Sequence, residues 1–186
     1  MSSIIVNIDV ADFVGEGLEI IGTNRADRLI GTNDGEVMDG RGGNDYVSGR
    51  DGDDFIMGGK GNDTLGGGLG EDTILGGKGN DIIFAFDGDD VIDAGKGNDI
   101  IHGGEGSDII FGGEGEDTFI FQIEDFADGS VDIVADFEMG KDRMIINGMS
   151  ESDMLTFDST LSTAFINGEE VISFENVDTT EDFEMF

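Results

Sequence analysis

The chain has 186 residues, of which 43 are acidic and 9 are basic, so its net charge is −34. It contains 33 glycines but no proline and no cysteine, which excludes disulfides and any metal or redox site built on thiolates. Such acidity disfavours nucleic acid as a partner and insertion into a membrane. Two broad alternatives remain, a disordered acidic chain or a carboxylate-rich metal-binding protein.

Residues 1–21 predict a small β-rich N-terminal cap. Apolar alternation over residues 4–10 and the segment Leu18–Ile21 are typical of two short strands, with glycines between them that favour a turn. The first residues show neither a basic region nor a long apolar run, so we expect no Sec-type signal peptide.

Residues 22–120 are eleven successive nonapeptides without a change of register. The pattern is G-G-x-G-x-D-x-U-x, where U is a large apolar residue. The sixth position is always acidic: Asp27, Glu36, Asp45, Asp54, Asp63, Asp72, Asp81, Asp90, Asp99, Asp108 and Asp117. The eighth position is always apolar: Leu29, Met38, Val47, Ile56, Leu65, Ile74, Ile83, Ile92, Ile101, Ile110 and Phe119. A disordered acidic chain would not keep both patterns in phase, so the repeats favour the folded alternative.

Each nonapeptide predicts a loop followed by a short strand. Glycines permit backbone conformations with positive φ and a close approach of carbonyl groups to a ligand, so the first six residues predict a tight, carbonyl-rich loop. The last three residues predict a strand whose middle side chain points to one face. Stacked strands would then bury a continuous aliphatic core.

The repeats resemble the RTX (repeats-in-toxin) calcium-binding family. The resemblance implies an all-β, right-handed parallel β-roll in which two nonapeptides form one turn. Calcium ions would lie between loops of neighbouring turns, which are 18 residues apart in the sequence.

This geometry sorts the acidic residues into two ladders, and one ion between each successive pair gives about nine Ca²⁺ sites. One ladder holds Asp27, Asp45, Asp63, Asp81, Asp99 and Asp117, and the other holds Glu36, Asp54, Asp72, Asp90 and Asp108. Backbone carbonyls would complete all-oxygen shells, which suit Ca²⁺ better than Mg²⁺. The predicted carbonyl ligands are Gly52, Gly58, Gly61, Gly67, Gly70, Gly76, Gly79, Gly88, Gly97, Gly103 and Gly106.

Departures from the pattern predict where calcium binds weakly. The first two repeats lack the glycine pair, and Glu36 is one methylene longer than aspartate. We therefore expect weak or missing ions there and firm binding from Asp54 to Asp108. Ala85 and Phe86 also replace a glycine pair.

Residues 121–186 predict a β-rich C-terminal cap. Segments 131–137 and 142–146 read as strands, and residues 150–154 as a helical turn. Residues 163–166 and 171–174 predict a hairpin across Asn167-Gly168, a strong turn pair. The final residues 182–186, an acid followed by apolar residues, resemble the C-terminal signal of RTX-like proteins exported by type I secretion.

The sequence favours no catalytic site. The single histidine, His102, excludes an H-E-x-x-H motif, and lysines after glycine pairs lack the Ser or Thr of a phosphate loop. The 12-residue ligand order of an EF-hand is also missing. We therefore expect no enzyme activity.

Two surface features leave alternatives open. Outward strand positions are apolar at Ile82, Phe84, Ile100, Ile120, Phe55, Met57, Leu75, Ile109 and Phe111. Either the caps cover these residues or they form a surface for self-association or for a partner. In addition, one set of loops carries Lys60, Lys78 and Lys96, whereas the other is strongly acidic, which predicts edge-to-edge packing of rolls in calcium.

The favoured function is that of a secreted, calcium-binding structural protein of the cell surface or extracellular matrix that folds on extracellular Ca²⁺ and can form homo-oligomers or filaments. The alternative is an accessory module of a secreted enzyme system that binds a polysaccharide or a protein partner. Pronounced acidity argues against anionic glycans for that alternative.

Overall fold

Successive nonapeptides place their strands alternately in two facing sheets. The computed structural model describes residues 18–150, 154–158 and 163–175. The strands are β1 (Leu18–Ile21), β2 (Arg28–Ile30), β3 (Glu36–Asp39), β4 (Tyr46–Asp51), β5 (Phe55–Lys60), β6 (Thr64–Leu69), β7 (Thr73–Lys78), β8 (Ile82–Asp87), β9 (Val91–Lys96), β10 (Ile100–Glu105), β11 (Ile109–Phe111), β12 (Thr118–Gln122), β13 (Asp132–Val134), β14 (Arg143–Asn147), β15 (Leu155–Asp158), β16 (Thr163–Ile166) and β17 (Glu169–Phe174).

One turn of the roll contains two nonapeptides. Phe55 of β5 pairs in parallel with Thr73 of β7, 18 residues further on. The strand order of one sheet, which we call the odd sheet, is β1-β3-β5-β7-β9-β11-β13-β17-β16-β15. The other, the even sheet, has the order β14-β12-β10-β8-β6-β4-β2. The predicted all-β parallel β-roll is therefore confirmed.

The aliphatic eighth positions form the core between the sheets. Side chains from Met38 to Phe119 at this position are at most 1% exposed, because each strand is covered by the facing sheet and by the turns above and below it. Leu29, in the first turn, is only partly buried against this cluster. The core continues into the C-terminal segment through Val134, Ile172 and Phe174.

The strands are longer than the predicted three residues. From β4 to β10 each has six residues, which include the first three positions of the next nonapeptide. The prediction was wrong because glycines at the second position, such as Gly59 with φ 103°, change the course of the backbone without ending the strand pairing. Gly59 and Lys60 still pair with Gly77 and Lys78 in the next turn.

Both sheets extend past residue 120, where the nonapeptides end. β13 pairs in parallel with β11, and β14 pairs in parallel with β12. A short 3₁₀ helix, Ile123–Phe126, connects β12 to the segment before β13. β17 follows β13 in the odd sheet and pairs antiparallel with β16, so the predicted hairpin across Asn167-Gly168 is confirmed.

The outward apolar residues divide between the sheets. On the even sheet Ile82 and Phe84 are 36% exposed and Ile100 is 38% exposed, whereas Ile120 is partly buried. On the odd sheet Phe55 is buried and Ile109 is 39% exposed. Met57, Leu75 and Phe111 are partly buried.

Three predictions of local structure fall outside the described residues. They are the strand at residues 4–10, the central residues of the helical turn at 150–154, and the export signal at 182–186. In the part of the chain that is described, no helix is long and apolar enough to cross a membrane.

Candidate metal centre

The acidic residues of the nonapeptides line up along two edges of the roll. The loops that lead from the odd to the even sheet form what we call the lysine edge, with Lys60, Lys78 and Lys96 on the preceding strands. The loops that lead from the even to the odd sheet form the acidic edge. Its loops contain Asp53 and Asp89 in addition to the ladder residues.

From Asp45 to Asp117, one oxygen of each ladder carboxylate accepts a hydrogen bond from the backbone of the preceding turn. Asp63 Oδ1 accepts the Asp45 N–H at 2.8 Å, and Asp81 Oδ1 accepts the Asp63 N–H at 2.8 Å. On the acidic edge, Asp72 Oδ1 likewise accepts the Asp54 N–H at 2.8 Å. The backbone itself therefore fixes the position of the ladder carboxylates from Asp45 onward.

Among the described residues, the other oxygen is buried and has no hydrogen-bond partner at nine ladder positions, and the same is true of Asp132, the first residue of β13. These oxygens belong to Asp45, Asp54, Asp63, Asp72, Asp81, Asp90, Asp99, Asp108, Asp117 and Asp132. Buried polar groups are rarely left unpaired, and an unpaired buried carboxylate is especially costly. The arrangement therefore calls for cations or protons at these oxygens.

Burial raises the pKa of nine buried carboxyl groups, those of Asp54, Asp63, Asp72, Asp81, Asp90, Asp99, Asp108, Asp117 and Asp132. The pKa is raised to about 6 for Asp54, Asp81 and Asp90, to about 7 for Asp99 and Asp132, to about 8 for Asp72 and to about 9 for Asp108. Desolvation is the largest cause, and the charges of neighbouring acids add to it. Without a counter-ion, the folded chain therefore disfavours the carboxylate form at these positions.

A gap beside the first glycine of a nonapeptide separates the unpaired oxygen from a carbonyl group of the next turn. A Cβ atom placed on Gly58 would lie 2.7 Å from Asp63 Oδ2 and 2.7 Å from the carbonyl oxygen of Gly76. Ca²⁺ binds oxygens at about 2.3–2.6 Å. The residues present therefore fit a calcium ion held by a carboxylate and by carbonyl groups of successive turns.

The predicted glycine carbonyls fall into two groups. Those at the first position, as in Gly58 and Gly76, belong to the gaps beside the aspartates. Those at the fourth position point along the stack, since the Gly61 oxygen would be 1.8 Å from a Cβ atom on Gly79. Whether this second group binds calcium stays a prediction.

Two carbonyl groups that border these gaps were missed because they belong to alanines. The Ala85 oxygen would lie 2.8 Å from a Cβ atom on Gly67, and the Ala94 oxygen 2.5 Å from one on Gly76. The glycine-based pattern does not include these alanines, although a backbone carbonyl can act as a ligand whatever the side chain of its residue.

Within the described ranges, no three Asp, Glu, His or Cys side chains converge on one point. Each ladder carboxylate instead stands one turn of the roll away from the next. A cation here must therefore draw most of its ligands from backbone carbonyls. This all-oxygen donor set suits Ca²⁺.

Asparagines on the lysine edge form a second ladder in the opposite direction. The Asn62 N–H donates to Asn44 Oδ1, and the Asn80 N–H donates to Asn62 Oδ1, both at 3.0 Å. Asn98 continues the series. The recurrence of asparagine at the fifth position of these nonapeptides is the sequence signal that could have predicted this ladder.

The first two repeats satisfy their acidic side chains with threonine. Asp27 Oδ2 accepts hydrogen bonds from the Thr23 N–H at 2.6 Å and from the Thr23 hydroxyl at 2.8 Å. Glu36 is bound in the same way by the N–H and hydroxyl groups of Thr32. The prediction of weak calcium binding there stays a prediction, but these hydrogen bonds supply a physical reason for it.

A known family accounts for this geometry. A family model describing four copies of the RTX calcium-binding nonapeptide repeat matches residues 30–65, 66–101 and 85–119. The repeat array belongs to the RTX calcium-binding family. The RTX match begins after Asp27, which agrees with the departure of the first repeat from the pattern. A search of the curated proteins found no match.

Proposed function

We propose that this RTX protein is a secreted structural protein that folds when it meets extracellular calcium. The observation that carries the proposal is the set of ten buried, unpaired carboxylate oxygens in the described part of the chain. Burying so many carboxylates at neutral pH is unfavourable unless cations neutralise them. Cytosolic calcium is far below the roughly 10⁻⁴–10⁻³ M affinity of typical extracellular modules.

Secretion is supported by the family, because RTX repeats are typical of secreted bacterial proteins. A chain that stays unfolded at cytosolic calcium suits export through a type I secretion apparatus. Folding would begin only after exit, because calcium binds the folded state and shifts the equilibrium toward it. The protein would then act outside the cell as a structural component and not as an enzyme.

Circular dichroism of the full chain tests calcium-dependent folding. We expect a disordered spectrum in EGTA and a β-rich spectrum in millimolar CaCl₂, with no such change in MgCl₂ at equal ionic strength. A β-rich spectrum in EGTA at pH 8, unchanged by calcium, would refute the proposal.

Self-association is supported by an exposed apolar patch on the even sheet. We define this patch as Ile82, Phe84, Phe86 and Ile100, which are 36%, 36%, 50% and 38% exposed. The four residues lie on the neighbouring strands β8 and β10, in which Ile82 pairs with Ile100. Exposed apolar groups that cluster in this way are typical of interaction surfaces.

Phe86 is unfavourable for an isolated roll on two counts. It occupies the second position of a nonapeptide with φ 81°, a backbone region that favours glycine. Its ring is half exposed and lies over Gly66, with its centroid 6.0 Å from that of Phe84. Contact between the patches of two copies would bury this ring and offset both costs.

Light scattering at millimolar calcium tests self-association. We expect oligomers whose proportion rises with protein concentration and falls when Phe86 is replaced. A chain that stays monomeric would refute self-association. Binding of a neutral polysaccharide by such a monomer, lost on replacing Phe86, would favour the accessory binding module instead.

A further inference from the structure

Asp132 lies outside the nonapeptides but takes the next ladder position on the acidic edge. It is the first residue of β13, and its Oδ1 accepts the Asp108 N–H at 3.0 Å. Asp108 Oδ1 accepts the Asp90 N–H in the same way, also at 3.0 Å. The spacing is 24 residues instead of 18 because the 3₁₀ helix Ile123–Phe126 and the segment after it precede β13.

The second oxygen of Asp132 has no hydrogen-bond partner among the described residues. The residue is 1% exposed. Nearby Asp125 already has partners, since its Oδ2 accepts the Gln122 N–H at 2.7 Å and lies 3.3 Å from His102 Nε2. Asp132 therefore resembles the ladder aspartates, because one of its oxygens accepts a backbone N–H and the other has no hydrogen-bond partner among the described residues.

Asp108 presents a second unpaired oxygen toward the same junction. Its Oδ2 is buried without a partner, and it borders the gap beside Gly103, where a Cβ atom would lie 2.0 Å away. Because Asp132 Oδ1 accepts the backbone N–H of Asp108, the two buried carboxylates belong to residues in direct contact.

The lysine edge ends differently. Asp142 continues that ladder, because its Oδ1 accepts the Asp117 N–H at 3.0 Å. Its Oδ2, however, accepts the Glu138 N–H at 2.7 Å. Both oxygens of Asp142 are therefore satisfied by the backbone, so Asp142 itself leaves no unpaired oxygen for a cation.

We propose that Asp108 and Asp132 hold a calcium ion at the junction between the repeat array and β13. A divalent cation there neutralises two buried carboxylates, each of which keeps one oxygen without a hydrogen-bond partner among the described residues. It also fixes β13, and hence the hairpin strand β17 that pairs with it, to the array. The inference rests on the proposed calcium-dependent folding and adds a site formed half by residues outside the repeats.

The variant Asp132→Asn tests the site, with Asp142→Asn as a matched control. Asparagine keeps an oxygen that can accept the Asp108 N–H but removes the charge. Bound calcium is counted by equilibrium dialysis of the full chain at saturating CaCl₂. We expect one ion fewer for Asp132→Asn than for the wild type and an unchanged count for Asp142→Asn.

Equal counts for Asp132→Asn and the wild type would overturn the inference while leaving the proposed function intact. A wild type that binds no calcium would refute the proposed function as well, so the two failures are distinguishable. A crystal of the wild type soaked in terbium gives a test that does not depend on any variant folding. An anomalous peak between Asp108 and Asp132 is expected, and its absence while peaks lie beside Asp63 and Asp81 would overturn the site.

Discussion

The first repeat and the interior repeats of the lysine-edge ladder satisfy their buried or partly buried acids in different ways. At the first repeat, Asp27 receives two hydrogen bonds from Thr23, and these lower its pKa. In the interior, Asp81 keeps an unpaired oxygen, and burial raises its pKa to about 6. Both residues occupy the sixth position of a nonapeptide. Local hydrogen bonding and burial, and not residue type, therefore separate an acid that is satisfied by the protein from one that needs a cation.

The largest expected effect is that of pH on the stability of the calcium-free protein, because many interior carboxyl groups act together. Their folded pKa values, about 6 for Asp81 up to about 9 for Asp108, lie above the unfolded value of about 4. The folded, calcium-free chain thus binds more protons than the unfolded chain, so its stability is greatest below pH 4 and is lost as pH rises from about 6 to about 9.

Denaturant unfolding of the calcium-free protein at pH 5 and pH 8 measures this effect. We expect a cooperative transition at pH 5 and none at pH 8, where the calcium-free chain is already unfolded. In saturating calcium the carboxylates are held ionised, so the trend should reverse. A calcium-free protein that is more stable at pH 8 would contradict the assignment of unpaired interior carboxylates.

The second prediction compares Asp81→Asn with Asp27→Asn. In calcium, Asp81→Asn should lose at least one ion and about 1.4 kcal/mol of stability at a calcium concentration of ten times Kd, whereas Asp27→Asn should lose no ion. In EGTA at pH 8, with trimethylamine N-oxide added so that the calcium-free chain folds, the signs should differ. Asp81→Asn removes a buried charge and should stabilise the fold, whereas Asp27→Asn weakens favourable hydrogen bonds and should destabilise it.

Urea unfolding with and without calcium, combined with equilibrium dialysis, checks both variants. If both variants changed the free energy of unfolding in EGTA with the same sign, the first and interior repeats would not differ electrostatically.

The third prediction compares Phe86 with Arg50, which lie at the same position in different turns of the even sheet. Both have positive φ, 81° and 94°. Glycine at either position relieves backbone strain, which costs on the order of 1–3 kcal/mol. We expect Arg50→Gly to stabilise the monomer without changing self-association, and Phe86→Gly to weaken self-association at least about tenfold, or about 1.4 kcal/mol.

Sedimentation velocity in calcium measures the association of both variants, and urea unfolding measures the stability of their monomers. Equal association of Phe86→Gly and the wild type would exclude the patch as the contact surface.

The smallest effect is expected for Thr23→Ala. This change removes the hydroxyl hydrogen bond to Asp27 but keeps the one from the backbone, so it should cost about 0.5–1.5 kcal/mol. The loss should be the same in calcium and in EGTA at pH 5, where the calcium-free chain is folded, because Asp27 is satisfied by the protein. Urea midpoints under the two conditions check this, and a loss confined to calcium would show that Thr23 supports an ion.

Much of the architecture could be predicted because the repeat constrains each residue locally. The acid at the sixth position and the apolar residue at the eighth must face the interior in every turn, so their period predicts both the roll and the ladders. Strand length could not be predicted in this way. Gly59 suggested a loop, but its positive φ is compatible with continued pairing to Gly77.

The ladder carboxylates were determined by the sequence alone, through a spacing that only a stacked roll explains. Asp132 and Asp142 were decided by the tertiary structure, because their spacings of 24 and 25 residues follow from how the chain returns to each sheet. The tertiary structure also decides whether the second oxygen of each ladder carboxylate has a hydrogen-bond partner. A hydrogen bond from Thr23 or Glu138 exists only once the folded backbone brings donor and acceptor together, and that contact decides which carboxylates need a cation.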